Sequence, residues 1–168
     1  TGLNCSAIGQ YRTINDEQRP LAYTSLDGGN SWHISEQLPL PLHANLQATY
    51  AALTGISCGD EGLQCTAIGK YKIRASDGIA FPLSYTSHDG GQHWKLSQEQ
   101  PTLPHDAKVQ DEDYTDVLNQ LNAVACSRTG LECNAVGEYV TKSGDIAPLS
   151  YRSLDGGSTW KLISLKCS

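Results

Sequence analysis

Short apolar stretches alternate with glycine- and proline-marked turns along the whole chain, and the clearest set lies near its C-terminus. Residues 121–127 (LNAVACS) read as an apolar strand, and residues 131–140 (LECNAVGEYV) as a second, after a turn at Thr129-Gly130. A turn at Lys142-Ser143-Gly144-Asp145 leads to a third strand at 148–153, where Pro148 stands first and removes no ladder bond. A tight Asp155-Gly156-Gly157 turn leads to a fourth strand at 159–164 (TWKLIS). The pattern predicts four short antiparallel strands.

The same series is written three times. Residues 3–32 (LNCSAIGQY to LDGGNSW), 63–94 (LQCTAIGKY to HDGGQHW) and 131–160 (LECNAVGEYV to LDGGSTW) run in register. A four-stranded unit repeated about every sixty residues predicts an all-β fold, a β-propeller with three four-stranded blades per chain. The expected blades cover about residues 1–34 completed by 165–168, about 54–98, and about 121–164, within a single domain. Extra length lies between units, in residues 33–56 and 95–120, where 44–53 and 111–121 could each form a helical turn or two. Such segments emerge on one face of a propeller, where binding surfaces are commonly built.

Six cysteines constrain the closure of the chain. Cys58 and Cys65 enclose six residues, as do Cys126 and Cys133, which predicts two equivalent disulfides that each clip a hairpin. Each contributes about 2.5 kcal/mol by loop entropy. Cys5 matches Cys65 and Cys133 but has no partner before it, and Cys167 is left over. The C-terminal LKCS therefore reads as the missing first strand of the first unit, and a Cys5–Cys167 bond would contribute about 5 kcal/mol. Disulfides place the chain in an oxidising compartment, secreted or periplasmic. A chain that starts at Thr1 and holds no Met reads as a mature product freed of its signal peptide.

The turn sequence Ser25-x-Asp27-Gly28-Gly29-x-x-Trp32 recurs from Ser87 through Asp89 and Gly91 to Trp94, and from Ser153 through Asp155 and Gly157 to Trp160. It resembles the Asp-box, or BNR repeat, whose family includes sialidases, the sortilin ectodomain, a photosystem assembly factor and several glycoside hydrolases, all built from propeller blades. The resemblance implies that the motif residues are structural. Asp and Ser can accept backbone N–H groups in the turn, glycine supplies its positive φ, and tryptophan packs back on the blade.

No catalytic set accompanies the motif. The sialidase resemblance calls for an arginine triad and an Arg-Ile-Pro motif, whereas the five arginines include only an Arg19-Pro20 fragment of it. The acids outside the motif are scattered over turns and inter-unit segments, and no Gly-x-Ser-x-Gly elbow or metal-ligand spacing occurs. Neither a cofactor nor a metal is expected. A net charge of −6 argues against nucleic acid as partner, and no run of 18 apolar residues exists to cross a membrane.

Tyr11, Tyr71 and Tyr139 close the second strands, while Tyr50 and Tyr114 fall in the inter-unit segments, and these five are the candidate contact residues. Three blades are few for a ring. Two chains would make six, with a homodimer as one arrangement; a three-bladed monomer and a piece of a longer propeller are the others. The leading expectation is a non-enzymatic module that binds a glycan or a protein through loops on one face. The alternatives are a glycoside hydrolase-like enzyme using loop carboxylates, such as Asp113 or Asp116, and a structural or assembly factor.

Overall fold

The computed structural model describes residues 2–41, 50–72, 78–109 and 117–163. They form eleven strands and no helix. The first unit holds β1 (Cys5–Arg12), β2 (Gln18–Ser25) and β3 (His33–Ile34). The second holds β4 (Tyr50–Cys58), β5 (Cys65–Lys72), β6 (Ala80–Ser87) and β7 (Lys95–Leu96), and the third β8 (Gln120–Cys126), β9 (Cys133–Val140), β10 (Ile146–Ser153) and β11 (Lys161–Leu162).

Within each unit neighbouring strands pair antiparallel in chain order. The first two units count as one seven-stranded sheet only through a single parallel pair, Gln18 with Tyr50. The units are thus three stacked sheets, and among the described residues the first has no counterpart of the strand that β4 and β8 supply to the others.

Two sequence expectations need correction. Tyr50 and Leu53 do not lie in a helical turn but open β4, and Leu121 likewise lies in β8, because these residues pair with β5 and β9. The fourth strands are two residues long, not six; Trp94 and Trp160, which precede two of them, pack across the unit boundary. Residues 117–119 are irregular and Gln120 opens β8, while 44–49 and 111–116 lie outside the described residues.

Strand alternation gives each unit two faces. Ala67, Leu83 and Tyr85 of the second unit, with Trp94, pack against Ala22 and Ile8 of the first. Ala135, Leu149 and Tyr151 of the third unit, with Trp160, pack against Ile68 of the second. Each buried Leu or Ile contributes on the order of 2 kcal/mol. A front face of one unit therefore meets the back face of the unit before it, twice.

The hairpins close as expected: Cys58–Cys65 and Cys126–Cys133 are disulfide-bonded across directly paired positions. Cys5 has no disulfide partner among the described residues, and Cys167 lies outside them. The first strands carry a bulge at Thr54 and at Asn122, opposite Gly69 and Gly137. A side chain at Gly69 would fall on the Ala52 carbonyl oxygen, and one at Gly137 on that of Gln120. At Gly9, the same position in the first unit, an added Cβ meets nothing within 4 Å.

Candidate functional site

The three Asp-boxes are superposable hydrogen-bond knots. Ser25 Oγ donates to Asp27 Oδ1 at 2.7 Å and accepts from Gly29 N at 2.9 Å. Asp27 Oδ1 also accepts from Ser31 N at 2.9 Å, and its Oδ2 accepts from Ser31 Oγ at 2.6 Å. Asp155 repeats this with Ser153 and Thr159. Asp89 repeats it with Ser87 and with His93, whose Nδ1 lies 2.6 Å from Oδ2. The hydroxyl and backbone N–H of Ser31, with the Ser25 hydroxyl, hold Asp27 down to about 2. At Asp89 and Asp155 partial burial pushes upward but is outweighed by the same bonds, so both carboxyls titrate below the usual range. Every carboxylate oxygen of the motif is spent inside its own turn.

The motif also works between units, which the sequence reading did not anticipate. Ser6 Oγ and Thr24 Oγ1 of the first unit donate to the Gly90 carbonyl of the second, at 3.0 and 2.9 Å. Ser35 Oγ donates to Gly91 O. One unit on, Thr66 Oγ1 donates to Gly156 O at 2.8 Å and Ser97 Oγ to Gly157 O at 2.5 Å. The doubled glycine makes this approach possible. Gly90 and Gly156 have φ of +76° and +68°, and a side chain at Gly156 would meet Gln64 of the second unit. The signal was present in the sequence: the family pattern asks for one glycine in the turn, and each copy here has two.

The paired tyrosines divide by unit. Tyr71 and Tyr139 are buried, while Tyr11 is 40% exposed. Burial raises the Tyr71 hydroxyl; burial and then the Asp106 carboxylate, 3.2 Å away, raise that of Tyr139. Burial also raises Tyr85 and Tyr151, whose hydroxyls donate to Pro39 O and Thr102 O of the inter-unit segments.

Tyr50 sits at the end of the sheets opposite the Asp-boxes. Lys70 Nζ and Lys72 Nζ lie 5.8 and 5.6 Å from its ring centroid. Lys70 Nζ donates to Gln120 Oε1, and Gln120 Nε2 to Glu138 Oε1 at 2.9 Å. A polar row thus runs from the second unit to the third. Tyr114 lies outside the described residues. Among the described residues no group of three or more His, Cys, Asp or Glu is placed to hold a metal.

A groove of about 370 Å³ runs along the front face of the first unit between Tyr11, Leu21, Tyr23, Ile34 and Leu38. A cleft of about 420 Å³ in the third unit is lined by Asp106, Tyr139, Pro148 and Leu162. Neither gathers paired carboxylates.

A search of curated proteins returned no match. Among solved structures, that of YCF48 bound to D1 peptide is similar at 17% identity with a TM-score of 0.42, over 92% of this chain and 36% of that one. This chain therefore spans about a third of that protein's length. The family model for the BNR/Asp-box repeat matches residues 85–96, the second turn with its flanking strands. The same bonds form at Asp27, Asp89 and Asp155, so all three turns share the geometry of the matched repeat.

Proposed function

We propose that the protein is a non-catalytic binding or assembly module of an oxidising compartment, secreted or periplasmic, with its units arranged as β-propeller blades. Its ligand sits at the end opposite the Asp-boxes, on the row of Tyr50, Lys70, Lys72, Gln120 and Glu138. One observation carries the reading: all three Asp-box carboxylates are occupied within their own turns, so the repeated polar residues build blades and are not available for chemistry. The two disulfides support the compartment.

A protein segment fits this row better than a glycan. Sugar stacking wants a bare aromatic face, and the Tyr50 ring is already engaged by two ammonium groups. Amide and charged side chains in a row suit the backbone and side chains of an extended peptide. The test is selection from a random peptide library alongside a glycan array, each with wild type and Tyr50→Ala. Enriched peptides that lose at least about tenfold in affinity on Tyr50→Ala are expected. Turnover of a glycoside panel, or glycan binding indifferent to Tyr50, would overturn the reading.

A further inference from the structure

The front face of the first unit is built like two faces that are covered elsewhere in the same molecule. Tyr11, Leu21, Tyr23 and Trp32 stand where Tyr71, Leu83, Tyr85 and Trp94 stand in the second unit, and where Tyr139, Leu149, Tyr151 and Trp160 stand in the third. In the second and third units the preceding unit's back face covers these side chains. In the first, Tyr23 is 38% and Trp32 44% exposed.

The matching back face is also present, and among the described residues it is uncovered. In the first unit it presents Ser6, Ile8, Ala22 and Thr24, and in the second Thr66, Ile68, Ser84 and Thr86; all of these lie towards the next unit. The third unit has Asn134, Val136, Ser150 and Arg152 at the same positions. Val136, Asn134 and Arg152 are exposed. The chemistry is retained as well as the shape. Asn134 can donate to a Gly28 carbonyl as Thr66 donates to Gly156, and Ser150 can accept from a Trp32 indole as Ser84 accepts from Trp160. Trp32 Nε1 is turned instead to its own Gly29 carbonyl.

We propose that the third unit of a second copy of this chain docks on the first unit's front face, head to tail, reproducing the two internal seams. The occupant follows from the molecule itself, which forms this seam between its own units twice and, among the described residues, leaves one half of each kind without a partner. A head-to-tail contact either closes, two chains giving six units in a ring, or continues into longer arrays. This surface is distinct from the Tyr50 row, and neither proposal rests on the other.

The test is sedimentation velocity from low to high micromolar concentration, on a Cys5→Ser, Cys167→Ser background that leaves the two hairpin disulfides intact. The background chain should associate with rising concentration. Tyr23→Arg blocks the front face and Val136→Arg the back face, and each alone should be monomeric. Mixed, they should form a one-to-one dimer through the one seam left intact. Leu26→Arg, at an exposed turn position, should associate like the background chain. Near-UV circular dichroism checks that each variant is folded, which both exposed positions permit. A background chain monomeric throughout, a single variant that still dimerises, or blocked variants that fail to recombine would each overturn the proposal.

Discussion

Tyr23 and Tyr85 hold the same place in successive units, yet one is 38% exposed and the other fully buried. Their local sequences, PLAYTS and PLSYTS, differ by one residue. Burial here is decided by what stands in front of the sheet. The second and third units have a preceding unit's back face, a paired first strand and a clipped hairpin. The first has none of these among the described residues. Three experiments use that contrast, ordered from the largest effect to the smallest in stability, and a fourth reads it in pKa.

The backbone contrast is strongest at the glycines facing the bulges. Gly69→Ala should cost about 3 kcal/mol or prevent folding, because its Cβ meets a carbonyl oxygen of the paired strand that cannot turn away. Gly9→Ala should stay within about 0.5 kcal/mol, measured by urea denaturation. Equal costs would show that a strand covers β1 as β4 covers β5.

Asp155→Ala should destabilise by about 1–2 kcal/mol, since the turn it ties also carries the Gly156 and Gly157 carbonyls that Thr66 and Ser97 bond. Asp27→Ala should lower the melting temperature less, because among the described residues nothing from another unit holds its Gly28-Gly29 turn.

The next effect has the opposite sign. Trp160 Nε1 donates to Ser84 Oγ at 2.9 Å, while the buried Trp94 indole N–H has no partner, Ala22 standing where Ser84 stands. Ala22→Ser should stabilise by about 0.5–1 kcal/mol in the same denaturation assay. The change should be absent in a Trp94→Phe background.

The last contrast is in titration. The Asp27 carboxyl, held at about 2, contributes stability that is fully present above about pH 4 and lost as pH falls towards 2. In the second unit His93 takes the place of Ser31, and the Asp89 carboxylate raises the imidazole, with Glu36 adding to it. That contribution is present below the ordinary histidine range and lost as pH rises through the raised value. NMR titration should show His93 above, and Asp27 well below, their ordinary values; an unshifted Asp27 would contradict the knot.

Much of this architecture was legible in the sequence, because repetition cancels the ambiguity of any single stretch. Three copies of PL-x-Y-x-S before the Asp-box placed the third strands, and two Cys-x6-Cys spacings placed the disulfides. The first strands were harder. Tyr50 to Leu53 read as a helical turn since YAAL has no alternation of its own, and only pairing with β5 makes it a strand. The seams were hardest. Nothing local in Thr66 or Ser97 says that its hydroxyl reaches a glycine carbonyl some ninety or sixty residues away. The doubled glycine was the trace of that contact, visible as a departure from the family pattern but without the partner that explains it.

The claim on which the account turns is that one front face is open and two are sealed. Tyrosine nitration of the dilute, folded chain, mapped by peptide mass spectrometry, measures it directly. Tyr11 and Tyr23 should react readily, Tyr85 and Tyr151 should stay unmodified, and Tyr23 should become protected as the chain is concentrated. A Tyr23 as unreactive as Tyr85 in dilute solution would show that the first unit is already covered, and would contradict the account.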